Sequence, residues 1–277
     1  MRISFFQVDA FASALFGGNP AAVMLLDAWL DDATLQAIAA ENNLSETAFL
    51  VPSGDDGADY DLRWFTPTVE VMLCGHATLA SGHVLLSRDP ALDQVGFRTR
   101  HAGILTVTRG AGGYALALPA WAPAPRALPN MVAGLGVDPA SVQATLWHPR
   151  GYGVVVLDGE AAILALRPDL RALGGLVGPD AAPGAEPDVL TIVTAPGDAT
   201  DVVSRVFAPG AGIDEDPVTG SAHAVIAPYW ADRLHRDTFT ARQASARGGH
   251  LSCRVSGDRV ILGGGCVAVI EGVFVLG

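Results

Sequence analysis

Along the first part of the chain, hydrophobic positions arrive in short blocks separated by turn residues. "ISFFQVDAF" and "AAVMLL" are apolar runs of strand length, and the "GGNP" between them is a turn. In "DDATLQAIAAENN" (31–43) the period changes. Leu35, Ile38 and Ala39 recur at helical spacing, and Asp31 or Asp32 stands where an N-cap belongs. "ETAFLVP" and "DYDLRWFTP" predict two more strands. "GHATLASGHVLL" predicts a helix that is apolar nearly all round, the pattern of a helix enclosed on every side. "GILTVTRG" and "YALALP" predict a hairpin around "GAGG", after which the alternation stops at "PAWAPAPRALP" (119–129), with the composition of a stiff linker.

Beyond that segment the order of landmarks returns. Arg63-x-Phe65-x-Pro67 reappears as Arg205-x-Phe207-x-Pro209, an offset of 205 − 63 = 142. The Gly of "GHATLA" reappears as the Gly of "GSAHAV" (220 − 75 = 145), and "GILTV" as "GHLSCRV" (249 − 103 = 146). "SETAFLVP" matches "VLTIVTAP", with Pro52 and Pro196 offset by 196 − 52 = 144. Four landmarks in one order at nearly constant spacing predict an internal duplication. The expected fold class is α+β, with two pseudo-symmetric halves, each a β-barrel-like sheet wrapped round a central helix. The expected domains are residues 1–125 and 126–266, with the last strand, 267–277, a candidate to rejoin the N-terminal half.

Composition narrows the chemistry. The chain has 277 residues, half of them hydrophobic, and a formal net charge of −12. That charge argues against nucleic acid or an anionic membrane as partner. No apolar run reaches the ~18–20 residues that span a bilayer. "MRISFFQVDAF" lacks the long apolar stretch and small-residue cleavage site of a secretory signal. The three cysteines, Cys74, Cys253 and Cys266, form no CxxC, so neither a disulfide framework nor a structural zinc site is expected, and a reducing cytoplasm fits. All 17 basic residues are Arg. Without lysine there is no Schiff base, which removes lysine aldolases and covalent pyridoxal phosphate enzymes, and no Walker A loop.

The duplication gives the glycine-bearing helix starts a meaning. Cys74-Gly75-His76 and Thr219-Gly220-Ser221 each open a predicted helix. A helix start carries unpaired N–H groups and partial positive charge, and glycine lets a ligand approach the backbone. Two such ends converging on a cleft are expected to bind a small carboxylic acid and hold charge developing on it. Glu46 heads a strand that otherwise reads apolar, and its repeat counterpart is Leu190, so this carboxylate breaks the symmetry. For Glu46 a strand-end carboxylate in solvent and a partly desolvated general acid/base both stand. For His76 a structural role and a proton relay both stand. Asp216 either serves catalysis or stabilises the second helix dipole, as Glu70 would the first. Ser221 is either an N-cap or a substrate ligand. Cys74 tempts as a nucleophile, but the matching position in the other half has no thiol, so a two-thiol racemase is not expected.

Several long motifs occur in fixed order: "VDAFASALFGGNPAAV", "NLSETAFL", "LRWFTPTVEVMLCGHATLA", "IDEDPVTGSAHAVIAPYW" and "QASARGGHL". Together they resemble the phenazine-biosynthesis PhzF-like family, related to diaminopimelate epimerase, over nearly the whole chain. The resemblance implies a homodimeric isomerase that moves a proton with a carboxylate and needs neither cofactor nor metal. It places the catalytic residues on Glu46, His76 and Asp216. The substrate-binding residues fall on Asn19, Ser45, Gly75, Gly220 and Ser221. One departure is "VML", where an acidic residue often precedes the Leu-Cys. The substrate stays open, as do amino- or hydroxy-acid epimerisation and a non-catalytic binding role.

Overall fold

The computed structural model describes residues 1–54, 57–110, 112–179 and 189–277. The chain divides into two units, Met1–Leu118 with Ile261–Gly277, and Pro119–Val260.

In the first unit the apolar blocks become β1 (Arg2–Ala10), β2 (Asn19–Leu25), β3 (Glu46–Pro52) and β4 (Tyr60–Phe65). They are followed by β5 (Glu70–Val71), β6 (Gln94–Thr99), β7 (Ile104–Gly110) and β8 (Gly113–Pro119). The helices are α1 (Asp32–Asn42) and α2 (Gly75–Arg88), and β17 (Cys266–Val275) returns from the far end of the sequence. β1 is antiparallel to both β17 and β2. β2 runs parallel to β3, β3 antiparallel to β4, β4 parallel to β6, β6 antiparallel to β7, and β7 antiparallel to β8.

This curled sheet surrounds α2, which touches β1, β2, β3, β6, β7 and β17. Every residue from Gly75 to Gly82 is buried, as its all-round apolar pattern predicts. Gly82 makes the closest approach: a β-carbon there would lie 2.3 Å from Val107 Cγ1 on β7. α1 lies on the opposite face of the sheet. Asp31 caps it by accepting from Thr34 N, and Leu35, Ile38 and Ala39 are its buried residues. They join Phe49 and Val51 of β3 in one core cluster. Since side chains alternate along a strand, Glu46, Ala48 and Leu50 take the α2 side. A strand covered on both faces reads as a continuous apolar run, which is why Glu46 stands out.

The second unit repeats this plan with β9 (Ala124–Pro125), β10 (Ala144–His148), β11 (Tyr152–Val156), β12 (Leu190–Pro196), β13 (Val202–Phe207), β14 (Thr238–Gln243) and β15 (Gly249–Ser256), and β16 (Arg259–Gly264) carries the chain back into the first unit. Its helices are α3 (Pro129–Leu135), α4 (Glu160–Ala165), α5 (Leu170–Gly174) and α6 (Gly220–Leu234). From β10 to β15 the pairings run antiparallel, parallel, antiparallel, parallel, antiparallel. The same series describes β1, β2, β3, β4, β6 and β7. α2 and α6 stand at the same place in the two series.

The Pro/Ala-rich segment is built into the second unit. Ala124 and Pro125 pair with β10, and Arg126 N donates to Thr145 O. Trp121 N donates to Ala224 O at 3.1 Å. That carbonyl's partner along the helix would be residue 228, which is proline and has no N–H to give. The segment therefore supplies the hydrogen bond that Pro228 removes from the middle of α6.

Candidate active site

Gly18 adopts φ +64° in the turn before β2, and a β-carbon there would lie 2.2 Å from Ala10 O. Only glycine fits, and the turn it makes places Asn19 at the head of β2. Because β2 and β3 are parallel, with Ala21 opposite Glu46, both strands begin at the same end of the sheet. α2 begins there too. The topology of the first unit thus gathers Asn19, Glu46, Cys74 and His76 from positions spread over the first 76 residues.

All four are buried. His76 Nε2 lies 2.9 Å from Glu46 Oε2. The carboxylate oxygen sits off the axis of the ring N–H and makes no hydrogen bond, so the attraction is mainly that of charge. On the other side of the ring, Nδ1 lies 3.1 Å from the Asn19 amide and 3.5 Å from Cys74 Sγ. Burial alone would lower the His76 pKa. The Cys74 sulfur and the Glu46 carboxylate outweigh burial and hold it well above the ordinary histidine value. Burial pushes the Cys74 thiol itself up to about 11, and the Glu46 charge adds to the rise. At neutral pH the thiol is therefore uncharged, and the carboxylate is the partner that keeps His76 protonated. Ser45 lies half-buried in the turn before β3, one residue from Glu46.

The second unit holds the other expected residues round the start of α6. Asp216, Thr219, Gly220 and Ser221 are buried. Thr219, not Ser221, occupies the N-cap position, and its hydroxyl donates to Asp216 Oδ2. Gln243, at the end of β14, fixes this loop. Its side chain accepts from Thr219 N at 2.8 Å and donates to Asp216 O at 2.6 Å. The first bond inside α6 runs from His223 N to Thr219 O. The N–H groups of Gly220, Ser221 and Ala222 therefore have no partner within the helix. In α2 the first bond is Thr78 N to Cys74 O, which leaves Gly75, His76 and Ala77 in the same condition.

Both helix starts are anchored alike. Arg63 donates to both carboxylate oxygens of Glu70, at 2.8 and 2.7 Å, and Arg205 donates to both of Glu215, at 2.7 and 2.9 Å. Each guanidinium lies 5.0 Å from the ring centroid of the Phe two residues on, Phe65 or Phe207. Glu70 and Glu215 are offset by 215 − 70 = 145, the same spacing as Gly75 and Gly220. The counterpart of Glu70 is thus Glu215, and Asp216 lies outside the repeat's structural pairing. Sequence reading had marked both arginines as landmarks without finding their partners. It names Thr219 only as part of the helix start, without its contacts, and passes over Gln243, which reaches this loop from a strand more than twenty residues away.

The family model described as phenazine biosynthesis-like protein matches residues 8–272. An uncharacterised isomerase of Pseudomonas aeruginosa is 49% identical over 274 residues, covering 98% of each chain. The crystal structure of a PhzF-family phenazine biosynthesis protein from Enterococcus faecalis superposes with a TM-score of 0.87 at 42% identity, covering 100% of both chains. A hydroxyproline epimerase from Agrobacterium vitis shares the fold, with a TM-score of 0.62 at 12% identity over 98% of this chain and 92% of that one. The expected epimerase-like α+β fold is the observed one, and the chain belongs to the PhzC-PhzF family of phenazine biosynthesis-like proteins.

Proposed function

We propose that this chain is a cofactor-independent isomerase in which the Glu46 carboxylate carries a proton between two positions of a small carboxylic acid. The observation that carries this reading is the buried Glu46–His76 pair at the start of α2, 2.9 Å apart. Glu46 takes a proton from a carbon next to a carbonyl, carboxylate or double bond. The electron pair left behind spreads onto the substrate's oxygen atoms. The N–H groups at the start of α2, with the glycine backbone of Gly75 open to close approach, hold that charge. Glu46 then returns the proton to a different carbon, and no atom is gained or lost. His76, held well above the ordinary histidine value, sets a positive charge beside the carboxylate. Asn19 orients the ring, and Ser45 binds substrate. Gly220 and Ser221 contribute a second set of donors for the substrate acid, and Asp216 assists the proton's movement. The isomerase names borne by the bacterial relatives support this class of reaction.

The test begins with a screen of carboxylic acids for thermal stabilisation, followed by incubation of the hits in deuterium oxide. The wild-type chain is expected to place solvent deuterium at a new carbon. Glu46→Gln is expected to bind the same acid but lose at least ~10²-fold in rate, the usual contribution of a general acid/base. Turnover unchanged in Glu46→Gln refutes the assignment. Deuterium at an inverted stereocentre, with no bond moved, identifies an epimerase instead.

A further inference from the structure

A carboxylate that approaches a chain of net charge −12 is repelled at a distance, so the site that binds it must carry positive charge of its own. With no lysine in the chain, that charge falls to arginine, to a protonated histidine or to helix-start N–H groups. Arginine here ordinarily has an acid partner: Arg63, Arg205, Arg236 and Arg242 each pair with a carboxylate. Arg150 is different. Among the described residues no acidic side chain pairs with it, and its guanidinium lies over the Trp121 ring, 4.9 Å from the centroid. Trp121 stacks in turn on His148, with centroids 5.7 Å and planes 15° apart, and Tyr152 closes the group, 5.7 Å from Trp121. The three rings are half-buried and Arg150 is exposed. The turn that carries Arg150 is held in shape. Gly151 N donates to His148 O at 3.1 Å, and Arg150 N to His148 Nδ1 at 3.4 Å. Burial, with the Arg150 charge added, lowers the His148 pKa, so at neutral pH the ring is uncharged and accepts that bond.

This turn stands in the second unit where the first keeps Asn19. Tyr152 opposes Leu190 across parallel strands as Ala21 opposes Glu46, and Leu190 is the repeat counterpart of Glu46. Arg150 precedes Tyr152 by two residues, as Asn19 precedes Ala21. α6 begins at the same end. Trp230 Nε1 donates to Thr194 Oγ1, and these residues lie about 15 Å along the helix from Gly220 and about 13 Å along β12 from Leu190. The helix and the strand therefore start nearly level. Trp121 fixes the direction, because its N–H meets Ala224 in the second turn of α6 while its ring meets Tyr152. We infer that Arg150 is a substrate-binding residue: its guanidinium, braced on Trp121, receives the carboxylate of the small acid at the end of the unit where α6 begins. A guanidinium stacked on a ring keeps its edge N–H groups for two parallel bonds to a carboxylate, and it loses less freedom on binding than an unbraced one. That the bound acid is a substrate rests on the isomerase reading, whereas the contact itself does not.

The full-length chain is titrated with sodium benzoate at constant ionic strength and followed by calorimetry, with benzamide as the uncharged probe of the same shape. Wild type is expected to bind benzoate at least tenfold more tightly than benzamide, a comparison that depends on no variant. Arg150→Gln is expected to bind benzoate at least tenfold more weakly than wild type does. Arg150→Lys keeps the charge and loses the planar fork, and is expected to fall between the two. Arg150 lies on an exposed turn, so the urea midpoint of Arg150→Gln is expected to match that of wild type. Three results overturn the inference: no benzoate binding by wild type, benzamide bound as tightly as benzoate, or benzoate bound equally by Arg150→Gln and wild type. A wild-type chain that binds benzoate through Arg150 yet places no deuterium into any acid loses only the isomerase reading.

Discussion

His223 donates from Nδ1 to the carbonyl of Thr219 at 2.8 Å, and Thr78 donates its hydroxyl to the carbonyl of Cys74 at 2.5 Å. The two residues hold equivalent places in α6 and α2, offset by 223 − 78 = 145. The duplication has kept the bond and changed the donor, and histidine brings an acid sensitivity that threonine does not. His223 is completely buried, and its Nε2 has no hydrogen-bond partner among the described residues. Burial therefore lowers its pKa to about 4, from 6.5. The unfolded chain takes up this proton first, so the fold loses stability as pH falls from about 6.5 toward 4. The full loss is on the order of 3 kcal/mol, from a difference of roughly 2.5 pH units. His223→Asn keeps a donor near the Nδ1 position and removes the titration. Urea denaturation across this range is expected to show a flatter acid limb in the variant. Parallel profiles would contradict the assignment.

His76 gives the opposite slope. Its folded pKa is raised, so its contribution is complete below the unfolded value of 6.5 and is lost as pH rises through the folded one. His76→Gln places a neutral donor near Glu46 and does not titrate. The stability difference between wild type and this variant is expected to shrink steadily on the alkaline side, from about pH 6.5 upward. A difference constant above pH 6.5 would mean that the fold does not raise this pKa.

Cys74 precedes the first turn of α2, a position that lowers thiol pKa values where solvent reaches the sulfur. Here burial wins and the value rises to about 11. The native chain is expected to react with iodoacetamide at Cys74 far more slowly than the unfolded chain does. Cys74→Ala is expected to leave proton transfer nearly intact. A rate loss as large as that of Glu46→Gln would restore a thiol mechanism.

Gly82→Ala should be judged against helix propensity, which favours alanine by about 1 kcal/mol. At this position the added methyl group would lie 2.3 Å from Val107 Cγ1. Overpacking a closed core costs about 1–3 kcal/mol, so a net loss of stability in thermal or denaturant unfolding is expected. A net gain would mean that α2 can move within its sheet.

Pro228→Ala tests the role of the Pro/Ala-rich segment. A proline inside a helix ordinarily costs about 3 kcal/mol, partly through the hydrogen bond it removes. Trp121 N already serves the Ala224 carbonyl, so the variant is expected to recover well under that amount.

How much of this was legible in the sequence depended on the range of the interaction. α1 was readable to its cap, because Asp31, Leu35 and Ile38 act within a few residues of one another. The repeat was readable because Arg63 and Arg205 stand in matching sentences of sequence. Glu46 was conspicuous as a charge heading an apolar run. The pairing of each arginine with Glu70 or Glu215 depends on how a loop closes, and no period marks it. Gln243 holds Asp216 and Thr219 from a different strand, a relation fixed only by tertiary register. Trp121 looked like part of a spacer because composition reports stiffness but does not reveal where a segment docks.

The pairing of β1 with β17, from Arg2 opposite Val275 to Ala10 opposite Cys266, bears on how the chain is made. β1 leaves the ribosome about 250 residues before the strand that covers its edge, and the whole span Pro119–Val260 is synthesised in the interval. Until β17 emerges, the nascent chain carries an unshielded sheet margin, open to pairing with a neighbouring polypeptide. Translation speed and chaperone capture during that wait bear directly on the yield of folded protein.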